Sequence, residues 1–352
     1  MLDLLLSAKR SYATRNVDLG LATKLITSAT KAGDLLLCRV EKLRQHQRLE
    51  NTQGRRVHLY EGDMIITVAA QRYATDQFYS QLPSFENDGA CHLVAAGGIT
   101  GQVVHRSRQV KPPTEITLLG VIADQSETPL NLNQFAPLLD HGTPTHNLPV
   151  LVVIGSDMNA GKTTTACAAI NGLSIHKHSI AGAKLTGTGA GPDYWRMWDA
   201  GAVAVHDFVD AGYASTVGLS NHDFLAILRH LKHTSVEAGA KLLVLEVADG
   251  VLQPETKALL SSPEFRHSVT GVLVAADSAT SAVMVTERIT HAGFPVYAMS
   301  GVFSQSPIAC EEAAQSTGLP VLTLEDFSKT STINYLVNSL NMDFDRAHSA
   351  AR

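Results

Sequence analysis

Residues 155–163 read Gly-Ser-Asp-Met-Asn-Ala-Gly-Lys-Thr, a glycine-bounded loop closed by a lysine and a threonine. This is the pattern G-x-x-x-x-G-K-[ST], whose residue types suit a nucleotide's phosphate chain. Gly155 and Gly161 permit backbone conformations and a close approach that a Cβ hinders. The loop N–H groups, with Asp157, Asn159, Ala160 and Thr164 in or beside the turn, are placed to surround phosphate oxygens at a helix N-terminus. Lys162 would reach the β- and γ-phosphates, and the Thr163 hydroxyl would take one position on Mg²⁺.

Two further segments carry charges that could serve the same chemistry. AGAKLTGTGAG (181–191) ends an apolar run in Lys184 and continues as a Gly/Thr loop able to wrap an anion. A strand-closing lysine is often only a surface charge, but small residues before it and glycines after it favour a functional role. KLLVLEVADG (241–250) drives Glu246 to the end of a β-branched and leucine-rich run, with Asp249 as a nearby alternative. An apolar strand ending in an acid beside a phosphate loop matches the metal-polarising half of such sites. Between them, Asp193, Asp199, Asp207 and Asp210 stand among the aromatics Tyr194, Trp195 and Trp198. Asp199 is the candidate third metal group, the other acids reading as helix caps or core partners.

Elements must deliver these residues to one place. Residues 150–154 read as a strand and 162–176 as a helix. Strands are expected at 179–185, 241–247, 270–276, 295–299 and 320–323, and helices at 193–205, 221–238, 254–261, 280–292 and 307–317. Such alternation predicts a parallel sheet with helices on both faces and ligands at the carboxyl ends of the strands. The first part has another texture. Residues 16–31 suit a helix, and DLLLCRV, RRVHLY, DMIITVAA, CHLVAAGG, QVVHRS and ITLLGVIAD read as short strands of a small barrel or sandwich. The predicted organisation is a β-rich domain with a leading helix (1–140), a polar linker (141–149), a phosphate-loop α/β domain (150–340) and a tail (341–352).

The chain has 352 residues, 45% hydrophobic and 17% charged, with a formal charge of −5. That composition belongs to a globular protein and gives no basic footprint for nucleic acid. No apolar run reaches the length of a membrane span. The four cysteines (Cys38, Cys91, Cys167, Cys310) form no C-x-x-C and suit a reducing, cytoplasmic compartment. The fifteen histidines show no ligand-like spacing.

The sequence GSDMNAGKT, then AGAKLTGTG, then LVLEVADG, with LVAADSATSAVMVTERITHAGFPV (273–296) after them, resembles dethiobiotin synthetase and its relatives over about residues 150–325. TGTGAGPDYW, VHDFVDAG and LEVADGVLQPET are similar to a poorly characterised bacterial family sharing that fold, some members of which are linked to N-acylated D-amino-acid metabolism. The resemblance implies ATP and Mg²⁺ as cofactors. Lys162 would lie on the phosphates, with Thr163, Glu246 and Asp199 around the metal. Lys184 would stabilise charge on the transferred phosphoryl group or on an attacking carboxyl or carbamate oxygen. The family's V-E-G-A-G-G is replaced here by LEVADG, so nucleotide and metal roles transfer better than the substrate.

Three activities follow as expectations. The first is an ATP-dependent ligase or kinase-like enzyme activating a small carboxylate or amino-acid-like substrate. The second is a regulatory or assembly NTPase, and the third an acyltransferase using a phosphate-bearing acyl donor such as coenzyme A. No N-K-x-D guanine signature is found, which makes ATP the expected nucleotide. Arg55, Arg56, Arg72 and Tyr73 in the β-rich part are candidates for an anionic substrate, and a homodimer or higher homo-oligomer is expected.

Overall fold

A computed structural model describes residues 2–137 and 147–341. Most of the expected linker and nearly all of the expected tail therefore lie outside the described residues. The chain divides into two compact units. The first comprises Met1–Thr143 with two later segments, Thr186–Trp195 and Asp207–Ser220; the second comprises Pro144–Leu185, Arg196–His206 and Asn221–Arg352. Both later segments of the first unit come from stretches that sequence reasoning placed wholly in the α/β domain.

Among the described residues of the first unit, a short helix α1 (Leu2–Ser7) precedes eleven strands. These are β1 (Lys9–Arg10), β2 (Lys24–Ile26), β3 (Leu35–Lys42), β4 (Arg48–Glu50), β5 (Arg56–His58) and β6 (Met64–Ala69). There follow β7 (Arg72–Tyr73), β8 (Phe78–Gln81), β9 (Ala90–Ala95), β10 (Ile99–Arg106) and β11 (Thr114–Ala123). The order β6-β3-β11-β9-β10 runs through antiparallel pairs and closes by a parallel pairing of β10 with β6, Ile99 opposite Val68. Closure removes the exposed edges of a small sheet. Strand β3 is apolar on both faces. Leu35 and Leu37 join Ile66, Val68 and Ile122 in one cluster, while Leu36, Cys38 and Val40 join Ile65, Leu93 and Leu118 in another.

The helix expected over 16–31 does not form. Leu19–Leu21 is a single 3₁₀ turn, and β2 pairs antiparallel with β11, Leu25 opposite Ile122. Thr23 N–H donates to the Ala123 carbonyl at 2.9 Å. The apolar spacing fits a helix, but Gly20 weakens one, and sheet pairing to a strand a hundred residues away prevails.

The second unit is a six-stranded sheet of β12 (Val150–Gly155), β13 (Ile180–Lys184), β14 (Ala204–Asp207), β15 (Leu242–Gly250), β16 (Gly271–Ala276) and β17 (Val296–Gly301), in the order β14-β13-β15-β12-β16-β17. The pairings of β12 with β15 and β16, of β13 with β15 and of β16 with β17 are parallel. Strands β12 and β16 are buried along their whole length, as strands covered on both faces must be. Its helices are α2 (Lys162–Ile175), α4 (Asn221–Glu237), α5 (Pro254–Leu260), α6 (Pro263–Ser268), α7 (Ala279–His291), α8 (Pro307–Thr317) and α9 (Thr330–Ser339), while α3 (Gly191–Asp199) counts with the first unit as far as Trp195 and with the second from Arg196. Helix α4 buries Phe224, Ile227, Leu228 and Leu231, the i, i+3, i+4, i+7 stripe of an amphipathic helix. A Ser278–Ser281 capping box starts α7, and Gly318 at φ +70° ends α8.

Two expected elements differ. The helix drawn over 193–205 ends at Asp199; Gly201 turns the chain at φ +97°, and β14 follows through Val205. The strand expected at 320–323 reduces to one parallel bridge, Val321 with Met299. Among the described residues no helix is long and apolar enough to cross a membrane.

Candidate functional site

The chain leaves β12 at the point where sheet order reverses, with β15 on one side and β16 on the other, so the loop after it sits where such sheets bind ligands. Gly161 stands as N-cap of α2 at φ +95°, and no side chain caps that helix. The N–H groups of its first turn therefore have no partner within the helix and point into the loop. A Cβ on Gly155 would lie 2.8 Å from the Ala275 carbonyl oxygen and 2.8 Å from Lys162 Cγ. That glycine is needed because the lysine stem folds back across the strand end.

Lys162 is buried, and its Nζ donates to the Asp157 carbonyl at 2.6 Å. Thr163 Oγ1 donates to Glu246 Oε1 at 3.0 Å, and Glu246 is only 2% exposed. Lys184 and Glu246 are register partners on neighbouring parallel strands, and Val153 of β12 is opposite Glu246 on its other side. Burial pushes the Lys162 ammonium below its ordinary pKa; Glu246, Asp249 and Asp157 act against that shift and Lys184 adds to it. Two lysines and three acids thus share one electrostatic neighbourhood around an anion cradle.

The loop's neighbours are small or glycine. Gly250 lies so close that a Cβ there would be 2.5 Å from the Ser156 carbonyl oxygen. Gly301, at φ +107°, would bring a Cβ to 2.5 Å from the Ala160 carbonyl oxygen. Ser156 Oγ donates to Asp277 Oδ1 at 3.1 Å, and Ser281 Oγ donates to the same oxygen at 2.6 Å, which holds the Asp277 carboxyl below its usual range. Thr164 Oγ1 accepts from Arg196 Nη2 at 3.0 Å, a partner that sequence reasoning missed. Beside the start of α2 opens a cavity of about 460 Å³, lined by Gly161, Thr164, Thr165, Gly301, Val302, Ser304, Gln305, Pro307, Thr323, Leu324 and Glu325. Its walls beyond α2 come from residues 301–307 and 323–325, where no motif marks them.

Other expected residues fall elsewhere. Asp199 is exposed at the end of α3, and Asp249, not Asp199, is among the acids acting on Lys162. Asp207 and Asp210 belong to the first unit, where both hold Arg15, at 2.7 and 2.6 Å. Tyr12 donates its hydroxyl to Asp207 at 2.8 Å, and the Arg15 guanidinium sits 4.2 Å from the Tyr12 ring centroid. These acids are core ion-pair partners.

Tyr194 and Trp195 also pack in the first unit. Trp195 Nε1 donates to the Gln53 carbonyl at 2.8 Å, and Tyr194 meets Tyr12 edge-on at 6.3 Å between centroids. Trp198 is exposed. The Gly/Thr loop expected to wrap an anion spends backbone groups locally: Gly189 N–H donates to Ala214, and Gly187 N–H donates to Thr216 Oγ1 at 2.8 Å. Arg55 is exposed and Tyr73 meets Tyr79 edge-on, while Arg72 is buried with its Nη1 on the Val94 carbonyl.

The donors offered by Thr163 and Glu246 are hard oxygens, the kind Mg²⁺ prefers. Among the described residues no three His, Cys, Asp or Glu side chains gather into a metal cage. A Thr–Glu pair fits a cation that completes its shell with phosphate and water.

No protein-family model matches the chain, and no curated protein does. The signal recognition particle 54 kDa protein from Aeropyrum pernix K1 in complex with GDP is similar at 16% identity, covering 60% of this chain and 51% of that one, TM-score 0.39. Chloroplast FtsY from Physcomitrella patens aligns at 14% identity over 58% of this chain and 67% of its own, TM-score 0.39. The kinase domain of Escherichia coli tyrosine kinase ETK aligns at 11% identity over 46% and 70%, TM-score 0.32. The chain spans about half the length of the first of these.

Proposed function

We propose that the chain is an ATP- and Mg²⁺-dependent ligase or kinase-like enzyme that activates a small carboxylate or carbamate by phosphoryl transfer. The observation that carries this reading is the placement of Lys184 in register with buried Glu246, itself hydrogen-bonded to Thr163 of the phosphate loop. Lys162 would follow the β- and γ-phosphates once its Nζ leaves the Asp157 carbonyl. Thr163 and Glu246 would hold Mg²⁺, which when bound neutralises charge on the phosphate oxygens. The cavity beside α2 would receive the nucleoside.

Lys184 would face the acceptor side and stabilise the charge that grows as the acceptor oxygen bonds phosphorus and ADP departs. An acceptor that is already an anion needs no base, so positioning and electrostatics supply the rate. The order and spacing of the phosphate loop, Lys184 and Glu246 support a dethiobiotin synthetase-like arrangement; an amino-acid-like substrate rests on the sequence resemblance alone.

The test is nucleotide turnover across a panel of small carboxylates and amino acids, with wild type and Lys162→Ala compared. Turnover that needs a metabolite and vanishes in the variant, with circular dichroism unchanged, is the expected result. Wild-type turnover in Lys162→Ala overturns the loop assignment. Turnover that only a protein partner stimulates would favour a regulatory NTPase. Tight binding without turnover would favour a phosphate-bearing acyl donor.

A further inference from the structure

The first unit contains a larger cavity of about 600 Å³, and every residue lining it belongs to that unit. Its volume is in the range that holds a small metabolite. Five basic side chains line it, Arg44, Arg48, Arg56, Arg72 and Lys111, against two acidic ones, Glu50 and Asp193.

The acids do not balance the cations. Glu50 is 1% exposed and already engaged, accepting Gly191 N–H through Oε2 at 2.9 Å and Arg56 Nε through Oε1 at 3.3 Å. Arg44 is held from outside the lining by Glu115 at 2.7 Å. Arg48 and Lys111 form no ion pair among the described residues and stand exposed at the rim. Even with Asp193 fully counted against one cation, the cavity keeps a surplus of positive charge.

The lining is also built rather than incidental. Thr114 Oγ1 accepts the N–H groups of Arg44 and His46, at 3.0 and 3.1 Å, and donates to the His46 carbonyl at 2.7 Å, which fixes the 44–46 segment. Arg72 lies buried with Nη1 on the Val94 carbonyl, and His46 Nε2 meets the same carbonyl at 3.1 Å. The cavity wall is thus fixed in its backbone at 44–46 and at the Arg72 guanidinium, and arginine side chains suit carboxylate or phosphate oxygens, which they can take two at a time. With Nε2 turned to a carbonyl, His46 leaves Nδ1 as an acceptor, and the amides of Gln45 and Gln77 add neutral polar groups.

We propose that this cavity is a binding site for a small, multiply charged oxyanion, a molecule with two or more carboxylate or phosphate groups. The site is separate from the nucleotide reading and stands without it. It is tested on the full-length chain carrying Lys162→Ala, which weakens anion binding at the 155–163 loop, and binding that remains there is told apart because it does not respond to changes at the cavity rim. Citrate, succinate and pyrophosphate are titrated calorimetrically at low ionic strength, without Mg²⁺. The expected result is saturable binding of one class, weakened by salt. Replacing the two exposed rim residues (Arg48→Gln with Lys111→Gln) should weaken it by about tenfold or more. Preference for citrate or succinate over pyrophosphate identifies the carboxylate source, and the reverse identifies the phosphate source. No saturable binding of any probe at millimolar concentration, or equal affinity in the double variant, overturns the proposal.

Discussion

Replacing Glu246 by Gln keeps the side chain's shape and one acceptor oxygen for Thr163 but removes the charge. Glu246 is 2% exposed, and it is the foremost of the carboxylates that keep the Lys162 ammonium from falling further under its burial. The variant would leave Lys162 and Lys184 facing a neutral amide. Trading a charge-assisted hydrogen bond for a neutral one, and losing part of the attraction to two lysines, costs about 2 kcal/mol. In a unit of this size that loss lowers Tm by roughly 4–8 °C when neither metal nor nucleotide is present. The same 2 kcal/mol, if Glu246 faces Mg²⁺, shifts the Mg²⁺ midpoint for nucleotide turnover upward by about 30-fold. Thermal unfolding and a Mg²⁺ titration at fixed ATP measure the two effects separately. A lower Tm with an unchanged Mg²⁺ midpoint would refute the metal-side role and leave Glu246 as a partner of the lysines alone.

Lys184→Met should lower kcat by about 100-fold while changing nucleotide affinity little, since a group acting on developing charge is felt in the transition state; steady-state kinetics showing only a raised KM for ATP would make it a ground-state phosphate contact. Gly250→Ala places a Cβ 2.5 Å from the Ser156 carbonyl oxygen and 2.9 Å from Asp157 Cα, both backbone; it should destabilise by about 1–3 kcal/mol and weaken nucleotide binding, and unaltered binding by calorimetry would show that the loop can yield. His46 is pushed down to about 4 by burial, with Arg72 adding to the shift. The unfolded chain then binds the proton that the folded chain refuses, so stability is full above about pH 6.5 and falls by about 3 kcal/mol as pH drops to about 4. Urea unfolding at pH 7 and pH 4.5 should show this loss in wild type and much less of it in His46→Gln.

The parts of the candidate site that could be read from sequence are those whose logic is local. Nine consecutive residues define the loop, Lys184 closes β13, and Glu246 follows the apolar run that opens β15, though that strand continues past it to Gly250 where the sequence suggested an end near residue 247. Their exact register across β13 and β15 needed the structure. Asp207 and Asp210 could not be placed from sequence because their partner, Arg15, lies 192 and 195 residues away. Asp199 has the right residue type on a helix whose end faces solvent. The 16–31 segment has helical apolar spacing, yet β2 is recruited by β11, a tertiary contact that outweighs a weak local preference. The parallel closure of β10 on β6, and the cavity walls at 301–307 and 323–325, come from chain segments that no spacing rule connects.

The phosphate loop is held from three sides by the strand ends around it. Ser156 N–H donates to the Ala275 carbonyl at 3.0 Å, Val302 N–H to the Ala160 carbonyl at 3.2 Å and Val251 N–H to the Gly155 carbonyl at 3.2 Å. These bonds reach from the ends of β15, β16 and β17, and two of those ends carry the glycines, Gly250 and Gly301, whose missing side chains admit the loop. A cradle fixed by its neighbours has little ordering entropy left to lose when an anion enters. On the proposed reading, Lys162 is the group that would move, since its Nζ donates to the Asp157 carbonyl and would trade that contact for phosphate oxygens. Burial weakens its hold on the proton, and the surrounding acids oppose that shift without cancelling it. Glu246 is first among the acids that oppose the shift, and on the proposed reading the same carboxylate would hold the metal.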